Sequence, residues 1–251
     1  MKIAVMVAAY NAERHIEAAL GSLLSQRADA ELDIIVVNDG STDATPEIVK
    51  RLAEAAPEIR LIETPNQGIT RTRNVMLDAI APDTDLVTTL DSDDLSPPGR
   101  FAREQAPFAA DPTLEMSYGY MLVFRGEGDD PVSPDFDGKT ARVRGIHLGA
   151  MLARTALMRR TGRFDESFVQ AEDTDFLFRL LESDPKLLLR DETSYYYRRH
   201  DNNISRDPSI VRREFARALM ASSRRRRAGL AKGIPPNFFD HDDQAIRGDW
   251  Y

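Results

Sequence analysis

Apolar residues in the first part of the chain follow two alternating patterns. Short, nearly continuous apolar runs occupy residues 3–8, 32–37, 59–62 and 86–90. Between these runs, apolar residues recur three or four positions apart, which is the spacing of one helix face. Continuous runs indicate strands buried on both faces, and strands that alternate with helices form a parallel sheet. The pattern therefore predicts an α/β fold with a Rossmann-like, mostly parallel central sheet flanked by helices.

The predicted helices of this first part have typical starting residues. Asn11 is a candidate N-cap for the first helix, and Pro46 suits the first turn of the second. The third helix is expected over residues 70–80, after the turn-forming "NQG". Each helix thus begins shortly after a predicted strand ends, as a parallel sheet requires.

The second part of the chain is less regular. The predicted elements are a strand over 115–125, a Gly/Asp/Pro-rich loop over 126–138, helices over 147–159 and 173–181, and strands over 187–189 and 193–198. From residue 207 the composition shifts to an arginine-rich helix followed by a tail. We therefore expect a main unit over residues 1–206 and a C-terminal helix and tail over residues 207–251.

Composition excludes several classes of protein. The 251 residues carry a formal net charge of −8, which argues against general nucleic-acid binding. The absence of cysteine excludes disulfides, thiol catalysis and zinc–thiolate sites. No apolar stretch reaches the roughly 18 residues of a membrane span, and "KIAVMVAAY" is too short for a signal peptide. We therefore expect a cytoplasmic protein.

Three polar loops follow predicted strands directly. They are "AAYN" (8–11), "NDGS" (38–41) and "DSDD" (91–94). The carboxyl ends of parallel strands lie at one edge of the sheet, and open α/β sheets bind ligands outside that edge. We therefore expect these three loops to form one binding site.

The third loop places three carboxylates within four residues, at Asp91, Asp93 and Asp94. Magnesium and manganese sites commonly combine one or two carboxylates with phosphate oxygens of a substrate. A structural role is the alternative, because Asp94 or Ser96 could cap the helix that follows the double proline. The position of the loop directly after a buried strand favours the metal site.

Three further residues are candidates for nucleotide binding. Asp39 is placed to accept hydrogen bonds from a base or ribose, although an Asp-Gly turn also explains it. Tyr10 could stack on a base, or it could be an aromatic residue at the edge of the core. Arg73 could reach a phosphate or base from the third helix, or its side chain could be solvated like most helical arginines.

Two candidates for catalysis lie later in the chain. Glu172-Asp173 precedes an amphipathic helix, where acidic residues are favourable for electrostatic reasons alone. A carboxylate there could instead act as a general base that deprotonates an acceptor hydroxyl. His200 follows a predicted strand and is either a metal ligand or a structural histidine.

Six ordered segments together resemble the inverting glycosyltransferases of family 2, which have the GT-A fold. The segments are "VAAYNAERHIEAALGSLLSQ", "IIVVNDGSTDAT", "NQGITRTRN", "LDSDD", "GRFDESFVQAEDTDFLFRL" and "YRRHDNNIS". The resemblance covers residues 3 to about 205. Within the main unit it implies a nucleotide-binding half over 1–95 and an acceptor and catalytic half over 96–206. The chain departs from the family pattern at Ala8 or Ala9, where proline is frequent, and in "TRN" (72–74).

The resemblance implies a role for each candidate residue. It places Ala9, Tyr10, Asp39 and Arg73 at the nucleotide, Asp91 and Ser92 at the ribose or sugar, Asp93 and His200 at a Mn²⁺ or Mg²⁺ ion, and Asp173 as the catalytic base. The implied donor is a nucleoside-diphosphate sugar, most often a UDP-sugar. The implied acceptor is a hydroxyl group of a glycan, a lipid-linked sugar or a protein.

Two other functions are alternatives to this one. A sugar-nucleotide pyrophosphorylase would need a glycine-rich loop with Arg and Lys after the first strand, where this chain has "AAYNAERH". A catalytically inactive sugar-nucleotide-binding protein would not need Asp93, Asp173 and His200, which are all present. An active transferase is therefore the preferred hypothesis.

The arginine-rich helix allows two interpretations. Its apolar residues Val211, Phe215, Leu219 and Met220 lie near one face, and its basic residues are Arg212, Arg213, Arg217 and Arg224 to Arg227. The helix either packs on the main unit with a solvated basic face or lies on the inner face of an anionic membrane, where a lipid-linked acceptor would be found. Aromatic residues of the tail (Phe238, Phe239, Trp250 and Tyr251) suggest docking, including onto a second subunit as a homodimer.

Overall fold

The computed structural model describes residues 1–125, 140–199 and 208–241. The strands are β1 (Lys2–Ala9), β2 (Glu31–Asp39), β3 (Ile59–Thr64), β4 (Leu86–Thr89), β5 (Met116–Arg125), β6 (Thr140–Arg144), β7 (Met151–Arg154), β8 (Leu187–Arg199) and β9 (Asp240–His241). The helices are α1 (Ile16–Leu24), α2 (Thr45–Ala55), α3 (Ile69–Asp78), α4 (Arg100–Ala110), α5 (Thr155–Thr161), α6 (Glu172–Glu182) and α7 (Pro208–Arg227), with a short 3₁₀ turn at Leu148–Ala150.

One mixed sheet runs through the molecule in the order β3-β2-β1-β4-β7-β5-β6-β9. Strands β3, β2, β1 and β4 are mutually parallel, as the sequence predicts. Beyond β4 the direction changes, because β7 is antiparallel to β4 and β5 is antiparallel to β7. Strand β8 lies off this path and pairs in parallel with β5. Strands β3, β2, β1 and β4 therefore have their carboxyl ends at one edge of the sheet. Strands β7, β5, β6 and β9 extend the sheet beyond β4.

The core lies on both faces of the parallel strands. Every residue from Ile3 to Val7 is at most 1% exposed, and Ile34 to Val37 are completely buried. Helices supply the covering layers, for example through Leu20 and Leu23 of α1. The uninterrupted apolar runs in the sequence therefore reflect strands that lack a solvent face, as parallel sheets require.

Two expectations about local structure are wrong. Asn11 does not cap α1, which begins at Ile16; it has a positive φ of 49° instead, and its side-chain oxygen accepts a hydrogen bond from the Thr42 backbone at 2.9 Å. Residues 147–159, expected to be one helix, form the 3₁₀ turn, strand β7 and part of α5. Strand β7 is central to the sheet and pairs with both β4 and β5, so its apolar residues are buried by sheet pairing.

In the rest of the second half, one prediction differs from the structure and several others concern residues outside the described ranges. The two short strands expected over 187–189 and 193–198 are one strand, β8, whose register with β5 shifts near Tyr118 and Tyr120. The predicted loop 126–138 lies outside the described residues, as do His200, the proposed boundary at 206/207, and the aromatic residues Trp250 and Tyr251.

The C-terminal helix α7 packs against α6. Arg225 donates to Asp175 at 2.8 Å and to Glu182 at 2.6 Å, and both carboxylates are buried in α6. Arg217 reaches back to the Ser167 carbonyl at 2.7 Å, and Ala218 packs beside Phe168. Among the described helices, none is both long enough and apolar enough to cross a membrane.

Candidate active site

The loops after β1 and β2 are tied together at the carboxyl edge of the sheet. The Asn11 backbone donates to the Ser41 hydroxyl at 2.9 Å, and Asn38 accepts from the Ser41 backbone at 3.1 Å. Gly40 has a φ of +71°, and a Cβ there would lie 2.6 Å from the Asn66 backbone nitrogen. Glycine therefore allows the loop that precedes α3 to approach closely.

Asp39 is buried and holds this neighbouring loop in place. Its two carboxylate oxygens accept hydrogen bonds from the backbone nitrogens of Gln67 and Gly68, each at 2.9 Å. Ala9 is buried, so it presents little side-chain surface, whereas Tyr10 at the same edge is 53% exposed. The edge thus combines a fixed carboxylate with an accessible aromatic ring.

Asp94 is the buried member of the acidic loop that follows β4. It is 1% exposed, and its carboxylate accepts hydrogen bonds from the Tyr195 hydroxyl at 2.8 Å and the Arg198 backbone at 2.6 Å. Burial raises the pKa of Asp94 well above its usual range, and the charges of Asp93 and Asp91 add to this effect. The Asp94 carboxylate therefore joins β8 to the acidic loop through these two hydrogen bonds.

The alternative in which Asp94 or Ser96 caps the next helix is wrong. Helix α4 begins at Arg100, and its N-cap position is Gly99, with no side-chain capping bond. The Ser96 hydroxyl instead accepts a hydrogen bond from the Gln26 side chain at 3.0 Å. The polar residues of this loop thus bond to β8 and to the end of α1 and the turn after it, not to the helix that follows them.

Asp91 lies at the meeting point of several elements. One of its oxygens is 3.6 Å from the Arg73 guanidinium, and the other is 3.5 Å from Nε2 of His147. Its backbone nitrogen donates to the Tyr195 hydroxyl at 2.9 Å. Burial opposes ionisation of Asp91, but the hydrogen bond from His147 and the charge of Arg73 lower its pKa to about 2. Asp91 is therefore a carboxylate at neutral pH.

Arg73 links this acidic loop to the start of α6. Its Nε donates to Glu172 at 3.0 Å, and Arg73 is only 6% exposed. Glu172 is also buried; desolvation and the charge of Asp173 raise its pKa to about 7, although Arg73 opposes that rise. Arg73 is thus engaged by two carboxylates, and the expectation that its side chain is solvated is wrong.

Asp173 lies beside Glu172 in the first turn of α6 and is half-buried. Its Oδ1 accepts a hydrogen bond from the Thr174 backbone at 2.6 Å. Its charge contributes to raising the pKa of Glu172 and also acts on Tyr118, whose pKa is raised first by burial. Asp173 therefore belongs to the same electrostatic cluster as Arg73 and Asp91.

His147 was not a candidate from the sequence. Its ring centroid lies 4.3 Å from that of Tyr195 and 5.5 Å from that of Tyr197. Gly149 permits this arrangement, since a Cβ there would lie 2.0 Å from the Tyr195 ring. His147 occurs in a segment that the sequence pattern suggests is helical, and one isolated histidine carries no motif. Only the pairing of β7 brings it to Asp91.

The donor set suits a hard divalent cation. One ligand atom from each of Asp91, Asp94 and His147 lies within 4.8 Å of the others. However, Nδ1 of His147 accepts a hydrogen bond from the Gly149 backbone at 3.1 Å, so the neutral ring carries its proton on Nε2, which faces Asp91. Asp94 is likewise engaged by Tyr195 and Arg198. Asp91 also contacts Arg73, so each of these three residues already has partners within the protein.

The structure thus brings several of the expected site residues together. Arg73 contacts both Asp91 and Glu172, Asp173 follows Glu172 directly in α6, and half-buried Ser92 and Asp93 continue the acidic loop. Asp39 and Tyr10 lie on the loops after the neighbouring strands β2 and β1. The overall arrangement is a carboxylate-rich edge of a parallel sheet beside the start of an acidic helix.

The chain belongs to glycosyl transferase family 2, whose family model matches residues 4–162. A relative named as a glycosyltransferase, EpsH of Bacillus subtilis, is 32% identical over 126 residues, which are 50% of this chain and 36% of EpsH. The chain therefore spans about a third of the length of that relative.

Solved structures share the fold. Residues 1–349 of Staphylococcus aureus TarS, in complex with UDP-GlcNAc, match with a TM-score of 0.70 and 22% identity over 89% of this chain and 66% of that chain. The mannosyltransferase PcManGT of Pyrobaculum calidifontis, in complex with GDP-Man and Mn²⁺, matches with a TM-score of 0.62 and 23% identity over 94% of this chain and 66% of that chain. The fold is therefore GT-A.

Proposed function

We propose that this protein is a metal-dependent, inverting glycosyltransferase that moves a sugar from a nucleoside-diphosphate sugar to an acceptor hydroxyl. The observation that carries the proposal is the position of Arg73, whose guanidinium contacts both Asp91 of the acidic loop and Glu172 beside Asp173. A donor held at the acidic loop would therefore lie next to the start of α6, where a general base is available.

Donor binding is assigned to the sheet edge. Tyr10 offers an exposed ring for the base, and Asp39 holds the loop before α3 in the shape that surrounds it. We propose a UDP-sugar as the donor, since the structural relative TarS binds UDP-GlcNAc. Asp91 and Ser92 face the ribose or sugar. Ala9 contributes backbone only, because its side chain is buried.

The metal site is assigned to Asp93, with His200 as an additional ligand that lies outside the described residues. PcManGT is bound to Mn²⁺, and carboxylate oxygens suit Mn²⁺ or Mg²⁺. The ion, when bound, supplies positive charge that stabilises the departing diphosphate. Tyr195 and Arg198 hold Asp94, and thereby the loop, in a fixed shape.

Asp173 is assigned as the general base. The acceptor oxygen attacks the anomeric carbon on the face opposite the diphosphate, the bond from that carbon to the diphosphate oxygen breaks, and the acceptor proton passes to the Asp173 carboxylate. This single displacement inverts the anomeric configuration. Glu172 is unsuited to the role because it is buried and paired with Arg73.

The test is donor consumption with a panel of nucleotide sugars. Thermal-shift screening with Mn²⁺ identifies the donor, and hydrolysis of that donor, with water as the acceptor, reports on the chemistry. We expect hydrolysis to stop in excess chelator and to return with Mn²⁺ or Mg²⁺, and NMR of the released sugar to show an inverted anomeric centre. An unchanged rate of hydrolysis in excess chelator, or retention of the anomeric configuration, would refute the mechanism.

The acceptor and the location complete the proposal. We assign the acceptor as a hydroxyl of a glycan, a lipid-linked sugar or a protein in the cytoplasm, facing the half of the chain that follows residue 95. Residues 1–95 then form the nucleotide-binding half, residues 96–206 form the acceptor half, and residues 207–251 form the C-terminal helix and tail.

A further inference from the structure

Helix α7 turns its polar side toward the protein and its apolar side toward solvent. The residues facing α6 include buried Glu214, Ala218 and Ser222, and half-buried Arg225. A helix that packs on a soluble domain normally buries its apolar stripe and exposes its charges. Helix α7 contacts α6 through the ion pairs of Arg225 and through Ala218, which packs with Phe178, whereas its larger apolar residues are exposed on the opposite side.

The outward face of α7 carries large apolar side chains among arginines. Phe215, Leu219 and Met220 are 37%, 40% and 54% exposed, and Leu230 just beyond the helix is 80% exposed. The exposed basic residues of the helix are Arg212, Arg213, Arg224, Arg226 and Arg227. We call these apolar and basic residues together the outer face of α7.

The outer face has no acidic residue to neutralise it. Glu214 is the single acidic residue of α7; it is buried, and it pairs with Arg213 and Arg217. Within the described part of the chain, Arg224, Arg226 and Arg227 make no ion pair.

The charge of α7 contrasts with that of the rest of the chain. Seven arginines and one glutamate give α7 a net charge of +6, so the other residues of a chain with a total of −8 carry −14. An extended anionic surface would attract α7 and repel the remainder, which orients the molecule with its outer face toward that surface. Mixed apolar and arginine residues on one helix face suit the boundary between lipid headgroups and acyl chains.

We propose that the outer face of α7 docks on an anionic lipid bilayer, with Phe215, Leu219 and Met220 inserted at the headgroup level and the arginines bound to lipid phosphates. Helix α7 is anchored to α6, which begins at Glu172-Asp173, and to the Ser167 loop. Docking would therefore hold the start of α6 at a fixed orientation to the bilayer. The proposal goes beyond the transferase activity and does not depend on it.

The test is co-sedimentation of the full chain with vesicles, measured without donor. Vesicles of phosphatidylcholine alone are compared with vesicles containing about one quarter phosphatidylglycerol, a mixture that gives the surface a negative potential. We expect binding to the anionic vesicles only, and its loss at high salt. Equal binding to both kinds of vesicle, or to neither, would overturn the proposal.

Two variants of the outer face locate the contact. The triple change Arg224→Gln, Arg226→Gln and Arg227→Gln should lower the partition coefficient about 100-fold, since each basic residue near such a surface contributes roughly fivefold. The pair Phe215→Ser and Leu219→Ser should also lower it by removing the inserted side chains. All these residues are exposed, so the unfolding temperature should stay within about 2 °C of the parent.

A charge-matched control separates local docking from net charge. The triple change Arg27→Gln, Arg51→Gln and Arg159→Gln removes three exposed arginines from outside the C-terminal helix and should leave vesicle binding unchanged. An equal loss in this control would contradict the proposal. So would a concentration-dependent dimer, measured by light scattering, that Leu219→Ser dissolves, because it would assign the outer face to a second copy of the chain.

Discussion

The site contains two acidic clusters in which adjacent carboxylates repel one another, and the two clusters are stabilised in similar ways. The first is the strand-end cluster, Asp91 to Asp94, and the second is the helix-start cluster, Glu172-Asp173. In each cluster the most buried carboxylate is held by the protein: Asp94 by Tyr195 and Arg198, and Glu172 by Arg73. Its neighbours are more exposed. The most buried carboxylate of each cluster thus maintains the structure, and a more exposed neighbour, Asp93 or Asp173, is the one proposed for chemistry.

The two clusters differ in what holds the structural carboxylate. Asp94 is hydrogen-bonded to an uncharged hydroxyl and a backbone amide, and burial raises its pKa. Glu172 is paired with an arginine that is itself buried and shared with Asp91. The first arrangement fastens one strand to a loop, whereas the second joins two parts of the site.

The largest expected effect is on the helix-start cluster. Asp173→Asn removes the proposed base while keeping the shape of the side chain, so the rate of transfer should fall by about 10²–10⁴ and donor affinity should be retained. The matched control is Asp184→Asn, an exposed residue just beyond the other end of α6, at a positive φ that asparagine tolerates. Turnover retained in Asp173→Asn, or an equal loss in the control, would contradict the assignment.

The next effect tests Asp94 as a structural carboxylate. Asp94→Leu leaves the buried Arg198 amide and Tyr195 hydroxyl without their acceptor, so the free energy of unfolding should fall by about 2–5 kcal/mol. Asp94→Asn has the same shape and keeps one acceptor oxygen for the Arg198 amide, while its Nδ2 can donate to the Tyr195 hydroxyl, so it should cost only about 1 kcal/mol. Urea unfolding of both variants measures the difference. Equal losses in the two variants would show that the hydrogen bonds of Asp94 do not stabilise the fold.

The smallest effect concerns the pH dependence of stability. The folded-state pKa of Glu172 is about 7, above its ordinary value of 4.5, so the folded protein binds this proton more tightly than the unfolded chain does. The contribution of this proton to the free energy of unfolding is fully present below pH 4.5 and is lost as the pH rises to about 7. Glu172→Gln should therefore flatten the decline in unfolding free energy over this interval. An unchanged slope would show that Glu172 does not titrate there.

Much of the first half of the fold could be predicted because its information is local. Continuous apolar runs identify β1 to β4, and the loops after β1, β2 and β4 fall at one edge because parallel strands share an orientation. In the second half the decisive contacts are distant in sequence. Strand β7 is only four residues long and resembles the start of a helix, so pairing with β4 and β5 determines its structure.

The same limit applies to the site. Asp39, Asp91 and Asp173 stand out because each occurs in a recognisable motif, whereas His147 occurs in none and reaches Asp91 only through the sheet. The partners of Arg73 could not be predicted either, since a helical arginine has no sequence feature that reveals burial between two carboxylates. The packing of α7 through ion pairs could not be predicted from the sequence either. A sequence pattern assigns the apolar residues of a helix to the core, whereas in α7 the large apolar residues are exposed.

Mn²⁺ binding in the presence of the donor nucleotide tests most directly which carboxylate of the strand-end cluster binds the ion and which one maintains the structure. Calorimetric titrations of Asp93→Asn and Asp94→Asn against the parent protein place the metal ligand. We expect Asp93→Asn to weaken Mn²⁺ binding at least about tenfold and Asp94→Asn to bind Mn²⁺ like the parent. The opposite order, with binding lost in Asp94→Asn and retained in Asp93→Asn, would assign the ion to Asp91, Asp94 and His147 and contradict the account.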